Sequence, residues 1–167
     1  MRRLVTGMPI NRGFTLIEIL IVIVIIGITV GFALISFGDF GASRRILFSA
    51  DQLVNTLRMA QQQAILETST LGLRIDSHSY QILRFENSSK WEPISNRGIF
   101  KVNYFPQNTV ITLKTNTKPL NGSPAIVINS SGDMTPFTLD FGTNKEIMTV
   151  ITGTHDGSLK LSAAKTK

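Results

Sequence analysis

The sequence predicts an α+β protein in which a long N-terminal helix, apolar enough over its first half to span a membrane, packs over its second half on antiparallel β-sheets. Three observations carry this. Residues 19–38 contain no charged side chain; Leu47, Ala50, Leu53, Leu57, Ala60 and Ala64 recur at helical spacing; and from residue 71 onward short alternating runs are separated by turn residues. A length of 167 residues suits one domain with an appendage. The charged fraction of 17% lies below the roughly 25% usual for soluble domains. The apolar run dilutes it. The net charge is +6, but residues 1–13 hold Arg2, Arg3 and Arg12 and no acid. The rest of the chain has fourteen basic and eleven acidic side chains, an excess too small to indicate a nucleic-acid binder by itself. With no cysteine, disulfides, thiol catalysis, Cys-ligated zinc and iron–sulfur clusters are excluded.

The first element is the segment 14–38. Its run from Ile19 to Gly38, about 20 residues, covers a hydrocarbon core of about 30 Å at 1.5 Å per helical residue. The β-branched stretch Ile19-Leu-Ile-Val-Ile-Val-Ile-Ile26 has mediocre helix propensity in water. In lipid the backbone must bond internally, and helix satisfies that. Arg2, Arg3 and Arg12 upstream against Arg44 and Arg45 downstream favour a cytoplasmic N-terminus. A cleaved secretory signal fits less well, because its apolar core is about 7–15 residues long and ends in a small-x-small site. Glu18 at the front of the run is the feature a signal peptide does not need. A carboxylate in a membrane helix is read first as functional. The bland alternative is a cap, since Thr15-Leu-Ile-Glu18 matches S/T-x-x-E and an acid in the first turn meets the positive end of the helix dipole.

The second element, 39–67, places the small and apolar series Leu47 to Ala64 on one face, with Arg44, Arg45, Asp51, Asn55, Arg58 and Gln62 left to solvent. The helix is expected to end near Glu67. Across 68–167, a β-rich head is read from Leu71/Leu73/Ile75, Tyr80/Ile82, Val110/Ile111/Leu113, Phe137/Leu139/Phe141 and Leu159/Leu161. Asn87-Ser-Ser-Lys90, Asn121-Gly122, Ser131-Gly132-Asp133 and Asp156-Gly157 are turn signals. Lys114–Pro124 reads as a loop, and the tail after Ser162 as frayed.

Chemistry is sparse. His78 and His155 each stand beside polar turn residues and read as exposed loop histidines. There is no G-x-S-x-G, Gly27-x-Thr-x-Gly31 lying inside the apolar helix, and there is no calcium-loop spacing around Asp133 and no phosphate-cradling glycine loop. No catalytic residue, cofactor or metal site is expected, and the chain is read as a non-enzyme. Trp91 beside Pro93 reads first as partly buried core. Lys114, Lys118, Lys160, Lys165 and Lys167 are dispersed, without interleaved aromatics, and read as solvated surface rather than a DNA patch.

Arg12-Gly13-Phe14-Thr15-Leu16-Ile17-Glu18, followed at once by the apolar helix, closely resembles the class III signal of type IV pilins and type II secretion pseudopilins. The resemblance implies a leader at 1–13, removed by a prepilin peptidase between Gly13 and Phe14, with methylation of the new Phe14 amine. It also implies that Glu18 meets the N-terminal amine of a neighbouring subunit, so that two desolvation penalties partly cancel on assembly. In pilins a glycine near Gly27 accompanies local unwinding; Gly27 and Gly31 also form G-x-x-x-G. Within this family the head is similar to the minor pseudopilin H, or GspH, group, which shares its domain type with FimT-like minor pilins. The similarity rests on Arg58-Met-Ala-Gln-Gln-Gln-Ala-Ile65, the pair around Gly72-Leu73 and Tyr80, Trp91-Glu-Pro93, and Asn129-Ser-Ser-Gly-Asp-Met-Thr-Pro-Phe-Thr-Leu139. It implies a single-pass inner-membrane subunit with a periplasmic head. The implied partners are the major pseudopilin G, the minor pseudopilins I, J and K, the prepilin peptidase and the inner-membrane assembly platform; nucleic acid is not among them. The resulting short pseudopilus would push folded proteins through the outer-membrane secretin. The alternative is a FimT-like minor pilin of a type IV pilus involved in DNA uptake.

Overall fold

The computed structural model describes residues 14–86, 90–116 and 123–164. The chain divides into two units, residues 1–40 and 41–167. Helical residues run over α1, Leu16–Leu66.

In the first unit, α1 is apolar and bare over residues 16–34. Leu16–Leu34 is long and apolar enough to cross a membrane, and none of it is buried. Its one hydroxyl, Thr29, donates to the carbonyls of Ile25 at 3.0 Å and Ile26 at 2.9 Å, which leaves the Glu18 carboxylate as the one side-chain polar group on this stretch not satisfied within the helix. Gly27 and Gly31 are helical. An added Cβ at either would meet nothing within 4 Å.

In the second unit, α1 buries Ile46, Ala50, Leu53, Val54, Leu57, Ala60 and Ala64 at 1% exposure or less. This corrects the predicted face at one position: Leu47 is exposed and Ile46 replaces it. The series Ile46, Ala50, Leu53, Leu57 alternates spacings of four and three, which tracks the 3.6-residue turn, whereas Leu47 lies about 100° off that stripe. Ile46→Ala should therefore destabilise the head by about 2–5 kcal/mol, and Leu47→Ala by about 0.5 kcal/mol or less. Denaturant unfolding of the two variants checks this; equal losses would refute the assignment. Two buried hydroxyls on the same face are satisfied within the helix, Ser49 by the Ile46 carbonyl at 2.8 Å and Thr56 by that of Gln52 at 2.9 Å. Past Leu66, Thr68 takes a left-handed φ of 49° and the Ser69 amide donates back to the Ala64 carbonyl at 3.0 Å, closing the helix.

The strands are β1 Leu71–Ile75, β2 Ser79–Glu86, β3 Lys90–Pro93, β4 Asn103–Tyr104, β5 Val110–Thr115, β6 Ile126–Ile128, β7 Phe137–Gly142, β8 Ile147–Gly153 and β9 Leu159–Ala163. They form two antiparallel sheets, β3-β2-β1-β6 with β4 also on β2, and β5-β7-β8-β9. In the first, Leu73 faces Ile82 and Ile126; in the second, Leu139 faces Ile151. These inward residues meet the helix stripe in one core. Tyr80, Phe105 and Phe141 chain through it with ring centroids 5.3 and 5.6 Å apart. Trp91 is half-buried and packs at a tilt against Phe85, with ring centroids 5.0 Å apart.

Strands β3, β4, β6 and β8 were not among the sequence-predicted runs. In β8 the reason is visible: Thr149, Ile151 and Gly153 point inward, so its buried face does not read as apolar. Two loop expectations are also corrected. Lys114 and Thr115 finish β5, paired with Thr138 and Phe137; residues 117–122 of the expected loop lie outside the described residues. Ser162 and Ala163 belong to β9, where Thr149 Oγ1 donates to the Ser162 carbonyl at 2.8 Å and the Ala164 amide to Met148 at 3.0 Å. The tail is thus ordered by backbone pairing as far as Ala164; residues 165–167 lie outside the described residues.

Candidate functional site

Two places concentrate the residues singled out by the sequence. The first is the start of α1. Gly13 lies outside the described residues, and Phe14 is 78% exposed. The Thr15 carbonyl accepts from the Glu18 amide at 3.1 Å and the Ile19 amide at 3.4 Å, and Thr15 Oγ1 receives the Glu18 amide at 3.4 Å. Thr15 is thus the N-cap, supplying one half of a capping box. Glu18 stands exposed in the first turn, where the helix dipole favours a negative charge. The cap does not exhaust its role, because the carboxylate is held among bare apolar side chains: Leu16, Ile17, Ile19, Leu20 and Ile21 are all 48% exposed or more. A surface of that composition is covered by lipid or by other helices.

The second place lies in the head, where two glycine turns meet α1. Gln61 Nε2 donates to the Gly132 carbonyl at 2.7 Å and the Gly157 carbonyl at 3.3 Å. Gly132 and Gly157 have φ of +90° and +82°, values only glycine adopts without strain. The Met134 amide bonds the His155 carbonyl at 3.0 Å, tying the two turns together. Asn129 and Asp133 close the first turn at 2.8 Å, Pro136 precedes β7, and Phe137 is buried with its ring against Gly153. In the second turn Thr154 and Ser158 donate to the Asp156 carboxylate and hold its pKa below the ordinary aspartate value. Gln61 was not singled out from the sequence. The signal for it is position, since it lies one turn after the buried Leu57 and so faces the sheets with a polar end.

The remaining candidates do not converge. His78 is exposed and bonded to Ser77 at 2.6 Å, His155 is exposed, and no group of three or more possible metal ligands exists among the described residues. Burial raises the Tyr80 phenol above its ordinary pKa, partly offset by its contact with Thr56, and this is core chemistry rather than a site. Lys114 pairs with Asp140 at 2.8 Å. It sits on β5 and Lys160 on β9, the opposite edges of one sheet. Three strand spacings of about 4.8 Å separate them, so they do not form one patch. Lys118, Lys165 and Lys167 lie outside the described residues.

A family model described as the prokaryotic N-terminal methylation motif matches residues 8–34. An apolar helix carrying that motif, followed by a helix packed on antiparallel sheets, defines a type IV pilin-like subunit, a class of structural proteins rather than enzymes. A second model, type II transport protein GspH, matches residues 49–157, about two thirds of the chain, and the chain belongs to that family of type II secretion minor pseudopilins. The type II secretion system protein H of Pseudomonas aeruginosa is 29% identical over 144 residues, covering 77% of this chain and 81% of that one. Its namesake in Escherichia coli is 25% identical over 149 residues, covering 84% and 88%. In fold, the chain matches the minor pseudopilin EpsH of Vibrio cholerae with a TM-score of 0.62 at 22% identity, over 71% of this chain and 97% of that one. The solution structure of Escherichia coli GspH matches with a TM-score of 0.62 at 21% identity, over 74% and 92%. The methylation motif and the apolar helix fit a single-pass inner-membrane pseudopilin.

Proposed function

We propose that residues 1–13 are a leader removed between Gly13 and Phe14, that the Phe14 amine is methylated, and that the mature subunit enters a periplasmic pseudopilus through α1. The observation that supports this most is the juxtaposition of a wholly exposed apolar helix with one carboxylate in its first turn. After cleavage, the Phe14 amine carries a positive charge and Glu18 a negative one, four residues along the same helix. Each is unfavourable alone in lipid, and pairing Glu18 with the amine of an adjacent subunit offsets both. The pairing sets the axial register, and a subunit that carries the carboxylate has another above it.

In this reading the N-terminus is cytoplasmic and the head periplasmic, where it contacts the minor pseudopilins I, J and K and the body built from the major pseudopilin G. The assembly platform adds subunits below, and the growing filament pushes folded proteins through the secretin. Domain limits follow as 1–13 leader, 14–38 membrane and filament-core helix, 39–67 amphipathic continuation and 68–167 head. Intact mass and N-terminal peptide of the membrane-extracted protein test the first step. With prepilin peptidase present, the chain should begin at Phe14 and carry one methyl group; without it, residues 1–13 should remain. A cut near Gly38–Ser43, or identical masses in both strains, would overturn the reading.

A further inference from the structure

The second unit carries a groove, between α1 and the strand β4 region, that neither the core nor the N-terminal pairing uses. It has a volume of about 540 Å³ and is lined by Arg44, Arg45, Phe48, Gln52, Tyr104 and Pro106, among others. That volume lies within the roughly 300–1,000 Å³ of small-molecule sites. Phe48 is 69% exposed and Tyr104 77%, so two aromatic rings stand uncovered beside two guanidinium groups. Neither arginine has an ion-pair partner among the described residues. Arg44 follows Leu34, the end of the described apolar stretch, by ten residues. Chain length alone keeps it within about 36 Å of that end.

We propose that this groove binds the phosphate headgroup of an anionic membrane phospholipid. The proposal rests on the reading of Leu16–Leu34 as a membrane span. Arginine forks match phosphate oxygens bidentately, and its aliphatic stem tolerates apolar surroundings. Aromatic side chains are enriched where acyl chains meet headgroups. Basic residues after the span also work against the orientation bias set by Arg2, Arg3 and Arg12, and an anionic ligand gives them a task there. A second copy of the head fits the groove less well. Residues 41–167 contain fourteen basic and nine acidic side chains, so two heads repel.

Native mass spectrometry of the full chain in detergent, titrated with phosphatidylglycerol or phosphatidylcholine, tests this. Phosphatidylglycerol should be retained in preference, and the double variant Arg44→Gln/Arg45→Gln should bind it about thirtyfold more weakly. Both arginines are exposed, so the variant keeps its core. Lys145→Gln/Lys160→Gln, with the same loss of charge at other exposed sites, should bind like the wild type. Equal retention of the two lipids, an unaffected arginine variant or an equal loss in the lysine variant would overturn the proposal. Displacement of the lipid by millimolar inorganic phosphate would overturn it by showing a free-anion site. A dimer lost in the arginine variant with lipid retention unchanged would overturn it in favour of a subunit contact. Failure of the chain to enter micelles would refute the membrane span itself, a result separate from entry without lipid selectivity.

Discussion

Glu18→Val should yield a chain that is cut after Gly13 and inserted in the membrane as efficiently as the wild type, yet is missing from crosslinks to neighbouring subunits. In the proposed assembly the substitution removes one member of a charge pair and leaves the Phe14 amine of the adjoining subunit without its counterion. Leaving such a charge unpaired in low-dielectric surroundings costs about 3 kcal/mol or more, about a hundredfold in the association constant. Secretion by the system should fall in step. Thr15→Val separates this role from capping, because it removes the hydroxyl that receives the Glu18 amide while keeping the carboxylate. It should cost only about 1 kcal/mol of helix stability and leave crosslinking near wild type. Site-specific crosslinking within the helices, read beside the processed mass, measures both. Glu18→Val with undiminished crosslinks would sink the pairing.

Gly157→Ala should severely destabilise the head, because strain and collision coincide at one position. At φ +82° an alanine is strained, and its Cβ would collide with Gln61 Nε2 and with the Gly132 carbonyl oxygen. The side chain of Gln61 can swing away, but then two carbonyls lose their donor; the Gly132 carbonyl is backbone and cannot yield without opening the first turn. Strain, collision and lost hydrogen bonds together should cost about 3 kcal/mol or more, lowering the melting temperature by on the order of 10 °C. Gln61→Ala, which removes the donor without adding bulk, should cost about 1–3 kcal/mol. Thermal unfolding of the two variants checks the order. A Gly157→Ala protein as stable as wild type would show that the turns do not close on the helix as described.

Much of this is legible in the order of the residues alone. The uncharged stretch from Ile19 needed only a count, since a bilayer acts on average polarity and length. The helix stripe from Ala50 to Ala64 followed from its period. Strands with apolar residues on their inner face, such as β1 and β7, followed from alternation. Strand β8 did not, because its inner face is Thr149, Ile151 and Gly153. Thr149 is acceptable there through its bond to the Ser162 carbonyl, a partner on the next strand. Gly153 is required there because the Phe137 ring occupies the space of a side chain. Both reasons lie across a strand pair and leave no trace in the local pattern.

The same division holds for function. Gly13, Phe14 and Glu18 were singled out by contiguous residues, because the proposed cleavage signal is a linear segment and a helix start is set by its neighbours. The groove of Arg44, Arg45, Phe48 and Tyr104 joins residues some sixty positions apart, and Gln61 reaches Gly132 and Gly157, 71 and 96 positions along. The apolar helix, the N-terminal methylation motif and the class of the head could be read from residue order alone, since all of them depend on short-range order and composition. Only the tertiary structure decided that Ile46 rather than Leu47 faces the core, that the tail is held in a strand, and that one glutamine clamps two turns. Each depends on what a side chain meets across the fold, and that is set by packing rather than by its place in the chain.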